Sequence, residues 1–404
     1  MFASFVVIAL AAQDWSRFRG PEGAGVAEAG VDVQGFEELW DHPVPGTGHS
    51  SPVVHGGRLW VTGRSDTENQ RLVIAYKALD GTIVWTHESP FLPHAQHKLN
   101  SFASSTPAVS DEGVFVAWTN GETLEVVALD HHGKQVWKKN LGPWVAEHGG
   151  GASPIVVGES LIVAKDHEGE SGFVCALHVD DGREIWRRDR KQGKAAYSTP
   201  LVYQGDAGGQ LIFTSSAHGM SALDPGSGEL LWELSDVFKD RCVGSPIAVN
   251  GLVFATAGMG DGGKQAVLVR PGSAQEPGRV TGELRRGLPY VPTAVASRDR
   301  LYLWNDAGIV SCVDSKTLET LWQERVEGRF FASPILVGRL LVNVSMDGEL
   351  VVLRAEDDFS AVQRIALPEG TQASAAFSVD TLFVRTPSRL LAFRALPQES
   401  ASKN

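Results

Sequence analysis

Basic runs are absent: no stretch of Lys or Arg exceeds a few residues, and the formal net charge is −12. A nucleic-acid binder needs a basic stripe to neutralise phosphates, so no nucleic acid partner is expected, and the acidic surface reads as a solubility feature. Cysteine is scarce, at three residues (Cys175, Cys242 and Cys312). Their odd number and wide spacing give neither a disulfide framework nor a metal motif, and they read as small buried apolar residues. Helical periodicity of useful length is missing between Trp40 and the C-terminus, and no apolar run is long enough to span a bilayer as a helix. Gly-x-Ser-x-Gly, His-x-His and His-x-x-x-His are also lacking, which removes the usual signatures of a nucleophile elbow and of paired metal ligands.

What is plentiful is glycine, at 44 residues, and proline, at 20, placed at turns rather than in tracts. In 404 residues, beyond the usual size of one core, that distribution predicts many short strands in a barrel-like or repeat fold. The first twelve residues form an apolar run of signal-peptide length, with Ala9-Leu10-Ala11 or Leu10-Ala11-Ala12 as the cleavage site. The run lacks a preceding basic residue, and the other reading of it is a buried first strand. No cysteine follows it, so lipidation there is excluded. The expected organisation is a leader over 1–12, an N-terminal extension over 13–35, a repeat domain over 36–395 and a disordered tail over 396–404. Export to the periplasm or cell envelope is expected.

One unit recurs along the chain. Its front half is a Ser/Thr-Pro step followed by two short β runs, as in Ser51-Pro52-Val53-Val54 then Arg58-Leu59-Trp60-Val61. The step returns at Thr106-Pro107, Ser153-Pro154, Thr199-Pro200, Ser245-Pro246, Val291-Pro292 and Ser333-Pro334. The back half is a strand ending in Asp, a Gly-containing turn and a strand carrying Trp, as in Ala128-Leu129-Asp130 through Gly133 to Trp137. Trp40, Trp85, Trp137, Trp186, Trp232 and Trp322 mark the copies, and the long last interval implies one blade without its Trp, over 242–284. A period of about 45 residues with four strands per unit is that of a β-propeller blade. Each Trp supplies a flat wedge between blades. The Asp and Gly build a tight turn, so these residues are architecture rather than chemistry.

The expected fold is therefore all-β: an eight-bladed propeller of four-stranded antiparallel blades, or seven blades if the weak unit over 242–284 merges with a neighbour. The eighth unit, from Gln372 to Phe393, has no room for a fourth strand, and the Trp40 strand is expected to complete it and close the ring. The Ala/Val-Leu/Val-Asp-x-x-Gly-x-x-x-Trp pattern resembles the PQQ-like repeat, over residues 14–395. Asp14-Trp15-Ser16-Arg17-Phe18-Arg19-Gly20-Pro21 is similar to the opening of PQQ-like propellers of planctomycete bacteria. More distantly, the repeat resembles that of the assembly lipoprotein BamB and of quinoprotein dehydrogenases. The resemblance implies a non-catalytic binding or assembly scaffold, or alternatively a quinone (PQQ)-dependent oxidoreductase with calcium. In quinoprotein dehydrogenases the quinone lies beneath a ring formed by two adjacent cysteines, and this sequence has no Cys-Cys pair and no motif for the calcium ligands.

In such a blade the segment leading into the first strand lies nearest the axis, on the face opposite the Asp-Gly turns. Those segments carry His49, His97, Asn100, His148, Tyr197, Arg241, Tyr290, Arg329 and Gln372, and the hairpins beside them carry Lys165, Asp166, His218, Asp306 and Asp347. This mixed polar and aromatic rim is the candidate binding surface for a protein, peptide or small ligand at the central opening. Closure leaves no free ladder to pair with a second copy, so a monomer is expected.

Overall fold

Each repeat opens with a short strand of three to five residues and continues through longer ones, starting with Val53–His55, Arg58–Arg64, Gln70–Lys77 and Ile83–Pro90. The structure, a computed structural model, describes residues 14–27, 32–65, 67–191, 193–205, 208–260 and 262–397. The expected leader and all but the first two residues of the expected tail lie outside them. Eight four-stranded antiparallel blades follow one another around an axis. The first covers 53–90, and the next six cover 108–143, 155–190, 201–234, 247–284, 295–325 and 335–366. The eighth is made of Ala376–Ser378, Thr381–Arg385 and Arg389–Pro397, with Val33–Pro43 as its outermost strand. Trp40 sits opposite Ala392 in that strand pair, so the N-terminal strand closes the ring as expected. Middle strands such as Leu340–Val344 are buried throughout, whereas outermost ones such as Ile83–Pro90 alternate. The core is thus the set of interfaces between blades.

The tryptophan wedge follows from what lies across the strand pair. Trp40, Trp85, Trp137, Trp186 and Trp232 each face an alanine, and Trp322 faces Cys312. A small partner lets the indole lie flat and reach the turn of the next blade. Trp85, Trp186 and Trp322 donate their Nε1 protons to the His131, Pro225 and Glu356 carbonyls of those turns, at 2.9, 3.0 and 3.0 Å. The turn glycine admits the ring: a Cβ on Gly133 or Gly182 would lie 2.7 Å from Trp85 or Trp137.

Two blades lack the wedge: the fifth, as the spacing predicts, and also the seventh. At the equivalent positions the fifth blade has Gly282, opposite Leu268, and the seventh has Gln363, opposite Val352. The first gap is filled from the next blade, and the second is bridged to it. Leu318 replaces the turn glycine at φ 61° and packs its side chain over Gly282. Gln363 forks onto the closing strand, accepting from the Phe36 amide at 2.9 Å and donating to its carbonyl at 2.8 Å.

The Ser/Thr of each front step has a role beyond starting a strand. The amide of Ser51 donates to Thr106 Oγ1, that of Thr106 to Ser153 Oγ, and that of Thr199 to Ser245 Oγ, at 3.0, 3.0 and 2.9 Å. The chain of bonds continues through Thr293, Ser333 and Ser374 and returns to Ser51 Oγ. The sixth member is Thr293, followed by Ala294. The step expected at Val291-Pro292 is therefore two residues out of register, because proline was followed instead of the hydroxyl.

Residues 14–27, expected as an extension, run along the inner edges of the blades. Trp15 exchanges two backbone hydrogen bonds with Val54 at 2.8 and 2.9 Å, and the Val109 amide donates to the Ser16 carbonyl at 2.8 Å. Arg17 donates to the Pro200 carbonyl at 2.8 Å. Arg19 donates to the carbonyls of Ala294 at 2.7 Å and Pro334 at 2.9 Å. Val26–Ala27 then pairs in parallel with the first strand of the seventh blade. This plug ties together five of the eight blades.

Two consequences are measurable by urea denaturation. Arg19→Ala leaves buried carbonyls of two blades without their donor and should cost about 2 kcal/mol or more. Arg19→Lys should recover only part of that, because an ammonium cannot fork between carbonyls. At the fifth seam, Gly282→Trp alone should destabilise by collision with Leu318. Combined with Leu318→Gly it should regain stability, with a coupling of about 1–3 kcal/mol in the double-mutant cycle. Strict additivity would show that the two positions do not share one slot.

Candidate functional site

The segments leading into the first strands line a funnel of about 640 Å³ on the axis, open on the face away from the Asp-Gly turns. Its depth comes from the short first strands and from the plug, which carries Phe18 into the cavity. Seven of the step hydroxyls (all but Ser245) also line it. Of the rim residues expected from sequence, His49, His97, Asn100, His148, Tyr197, Arg241, Tyr290, Asp306, Arg329 and Gln372 lie on the funnel wall. Lys165, Asp166, His218 and Asp347 do not line it.

Those four are held elsewhere by identifiable partners. Lys165 lies over the Phe173 ring, 5.0 Å from its centroid. Asp166 forms a buried ion pair with Arg190 at 2.7 Å, and Arg190 also donates to Ser221 and Ser215. His218 accepts the Lys191 amide at Nε2 and faces Glu233 from Nδ1, both at 2.8 Å, an arrangement that fixes the Nδ1–H tautomer. Asp347 accepts from the Arg329 amide at 2.9 Å, so it shapes the mouth from behind. Hairpin tips are not equivalent: Asn305, Asp306, Ala307 and Met346 face the cavity, whereas these four residues do not.

His97 and His148 stack with centroids 4.9 Å apart. Asn100 secures that pair by donating to the carbonyls of His148 at 2.6 Å and Gly150 at 2.9 Å. Arg241 bonds Glu168 at 2.9 Å and reaches Glu147 at 3.4 Å. Burial alone would lower the Arg241 pKa, but Tyr290 and Glu168 outweigh it and hold it above its ordinary value. Burial pushes the Tyr197 hydroxyl up, so it stays protonated at neutral pH. Asp306 is raised chiefly by burial, against the pull of the Tyr290 and Val291 amides, which donate to its two oxygens at 2.8 and 3.1 Å. Burial, reinforced by the charge of Arg385, lowers His49 to about 4.

The three cysteines are free and buried. Cys312 occupies the small slot opposite Trp322, in keeping with the apolar role expected for it. Among the described residues no group of three or more His, Cys, Asp or Glu side chains is brought together as a metal site. No described helix is long and apolar enough to cross a membrane. Sequence reasoning missed Phe18 and the inward-facing hydroxyls. The Ser/Thr is visible in every Pro step except Val291-Pro292, but as a strand start rather than as a cavity-lining group.

The sequence model of the family described as outer membrane protein assembly factor BamB matches residues 31–122, 93–280 and 272–396. The BamB of Moranella endobia (strain PCIT) is 23% identical over 264 residues, which is 62% of this chain and 59% of that protein. The chain therefore spans less than two thirds of that relative's length. Among solved structures, BamB from Moraxella catarrhalis superposes with a TM-score of 0.66 at 15% identity, covering 91% of this chain and 99% of that one. A quinohemoprotein alcohol dehydrogenase from Comamonas testosteroni superposes with a TM-score of 0.72 at 12% identity, covering 97% and 82%. At these identities the likeness to solved structures is one of fold.

A buried neutral imidazole makes stability depend on pH. The unfolded chain takes up a proton at His49 below about pH 6.5, whereas the folded chain does so only near pH 4. Stability should therefore fall on acidification through that window, by at most about 3 kcal/mol from His49. His87, His94, His148 and His167 are lowered in the same sense, burial being the first cause in each. Urea midpoints of the parent and of His49→Gln, measured from neutral pH to about pH 4.5, should converge as pH falls. Parallel curves would contradict the assignment.

Proposed function

This chain belongs to the family of the outer membrane protein assembly factor BamB, and we propose that it is an exported, non-catalytic scaffold of the cell envelope that holds a partner at the mouth of its axial funnel. The observation that carries this reading is the inequality of the two faces. On the turn face, polar groups are used internally: Asp80, Asp130, Asp181, Asp224 and Asp314 each accept from amides of their own turns. On the other face the wall presents histidine, tyrosine and arginine side chains around an opening, and the blade hairpin beside it carries an exposed Met259. A rigid ring with one open, chemically varied face suits recognition.

Quinone-dependent oxidation is the second reading, and the residues present do not fit it. Cys175 and Cys312 lie within strands and Cys242 precedes the fifth blade, all buried and well separated, so no pair can form a sulfur ring over the cavity. Asp306, the carboxylate on the wall, has both oxygens engaged by backbone amides. Neither feature supplies the donor set that a quinone with calcium calls for.

Photo-crosslinking side chains placed in living cells at Arg329 and Met259, with Leu79 in a turn of the opposite face as control, test the scaffold reading. Adducts to an envelope protein, identified by mass spectrometry, are expected from the first two positions alone. Equal adducts from Leu79 would remove the facial assignment. Dye reduction by the purified protein with added PQQ and calcium would replace the scaffold with the oxidoreductase.

A further inference from the structure

The charges around the funnel are not distributed as in the rest of this acidic chain. Arg241, Arg329 and Asp306 are its charged wall residues, and the two arginines are paired near the mouth, with Glu168 and Asp347. Behind the ring of hydroxyls, among residues that do not themselves line the cavity, the compensation stops. Arg17, Arg19 and Arg385 are buried and their hydrogen bonds run to the carbonyls of Pro200, Thr293, Ala294 and Pro334, to Ser50, and, for Arg19, to Gly23 and Ala24 of the plug itself. Among the described residues, Glu22 is the one carboxylate that acts on any of them electrostatically, on Arg17. Apart from Gly23 and Ala24, these guanidinium partners are ring residues or their immediate neighbours along the chain: Pro200 follows Thr199, Ala294 follows Thr293, Pro334 follows Ser333, and Ser50 precedes Ser51.

The ring above them is itself a set of donors. Each hydroxyl oxygen already accepts an amide proton in most of the seams, which leaves its own O–H free to turn toward the cavity. A hydroxyl that accepts from a backbone amide is polarised toward donation. Above the floor, Phe18, Leu99, Val243, Phe331 and Met346 supply apolar surface. The cavity is of the size that takes a drug-sized molecule rather than a folded domain.

We propose that the floor of the funnel binds the oxyanion of a small organic acid, with its apolar body against Phe18 and the surrounding wall. The site uses the funnel of the scaffold reading and adds an occupant to it. Guanidinium groups engaged with carbonyls and, at Arg385, the Ser50 hydroxyl give the floor a positive field in a low-dielectric setting, and an entering carboxylate would meet hydroxyl donors in front of that field. The paired arginines at the mouth add little attraction, and Asp306 is the wall carboxylate that opposes the anion, its charge partly offset by the Tyr290 and Val291 amides.

Titration of the full chain with 2-naphthoate, followed by calorimetry, tests the proposal, with 2-naphthamide as the uncharged isostere and inorganic phosphate as the anion without a body. The acid should bind about tenfold or more tightly than the amide, as a charge-assisted contact requires. Excess phosphate should compete weakly. Gln372→Glu, on the wall and partly exposed, should abolish naphthoate binding, and Gln372→Lys should strengthen it, with unchanged melting of both variants confirming an intact ring. Equal binding of acid and amide, no binding of either, or indifference to charge at position 372 overturns the anion site. Phosphate binding as tight as naphthoate overturns the role of the apolar body. The crosslinks from Arg329 and Met259 do not depend on naphthoate, so either proposal can fail while the other stands.

Discussion

A propeller stands or falls on how its ring is tied at the axis, and here the tie is a side-chain hydroxyl accepting the backbone amide of the preceding blade. The short first strands lie at the innermost edge, where an amide has no strand beside it and would otherwise be orphaned. A Ser or Thr in the next blade supplies the acceptor at 2.9 to 3.0 Å in seven of the eight seams. Proline after the hydroxyl suits the same edge, since it has no N–H to leave unpaired. The remaining seam, between the third and fourth blades, is where Arg17 of the plug donates to Pro200. The ring and the plug are therefore one construction, and the funnel exists because that construction holds eight inner strands apart at fixed spacing.

Outside the ring the tryptophan wedges do the corresponding work, and they explain how far the fold was legible. The 45-residue period, the count of eight and closure by the Trp40 strand were all readable, because each depends on residues that repeat. What was not readable was compensation. Gly282 and Leu318 are unremarkable singly, and so are Gln363 and Gly35; only the seam reveals that one fills the space the other vacates. The same limit explains the misplaced sixth step. A proline two residues early at Pro292 outweighed the hydroxyl at Thr293, although the ring needs the hydroxyl and tolerates alanine after it.

The funnel divides along a similar line. Residues next to the first strands were legible as wall residues because strand direction alone puts them near the axis, and nine of them line the cavity. Hairpin residues were not, because a tip can lean toward the axis or toward a neighbouring blade, and sequence does not encode which. Asp306 leans inward and is held by the Tyr290 and Val291 amides. Asp166, in the equivalent region of another blade, turns to Arg190 instead. Phe18 was hidden for a different reason: it belongs to no repeat, so periodicity gave no hint that the plug reaches the cavity.

The plug also links closure to chemistry. A buried guanidinium is costly to desolvate, and an apolar side chain of similar volume would often serve stability as well or better. What an apolar residue cannot do is donate to the carbonyls of two blades at once, as Arg19 does with Ala294 and Pro334. Geometry therefore favours arginine at the axis even where energy alone would not. Having been placed there for closure, Arg17 and Arg19 bring positive charge beneath a ring of hydroxyls in a chain that is otherwise acidic. The field at the floor of the funnel is thus a by-product of how the propeller is tied, and any ligand chemistry that develops on the wall above must be compatible with it.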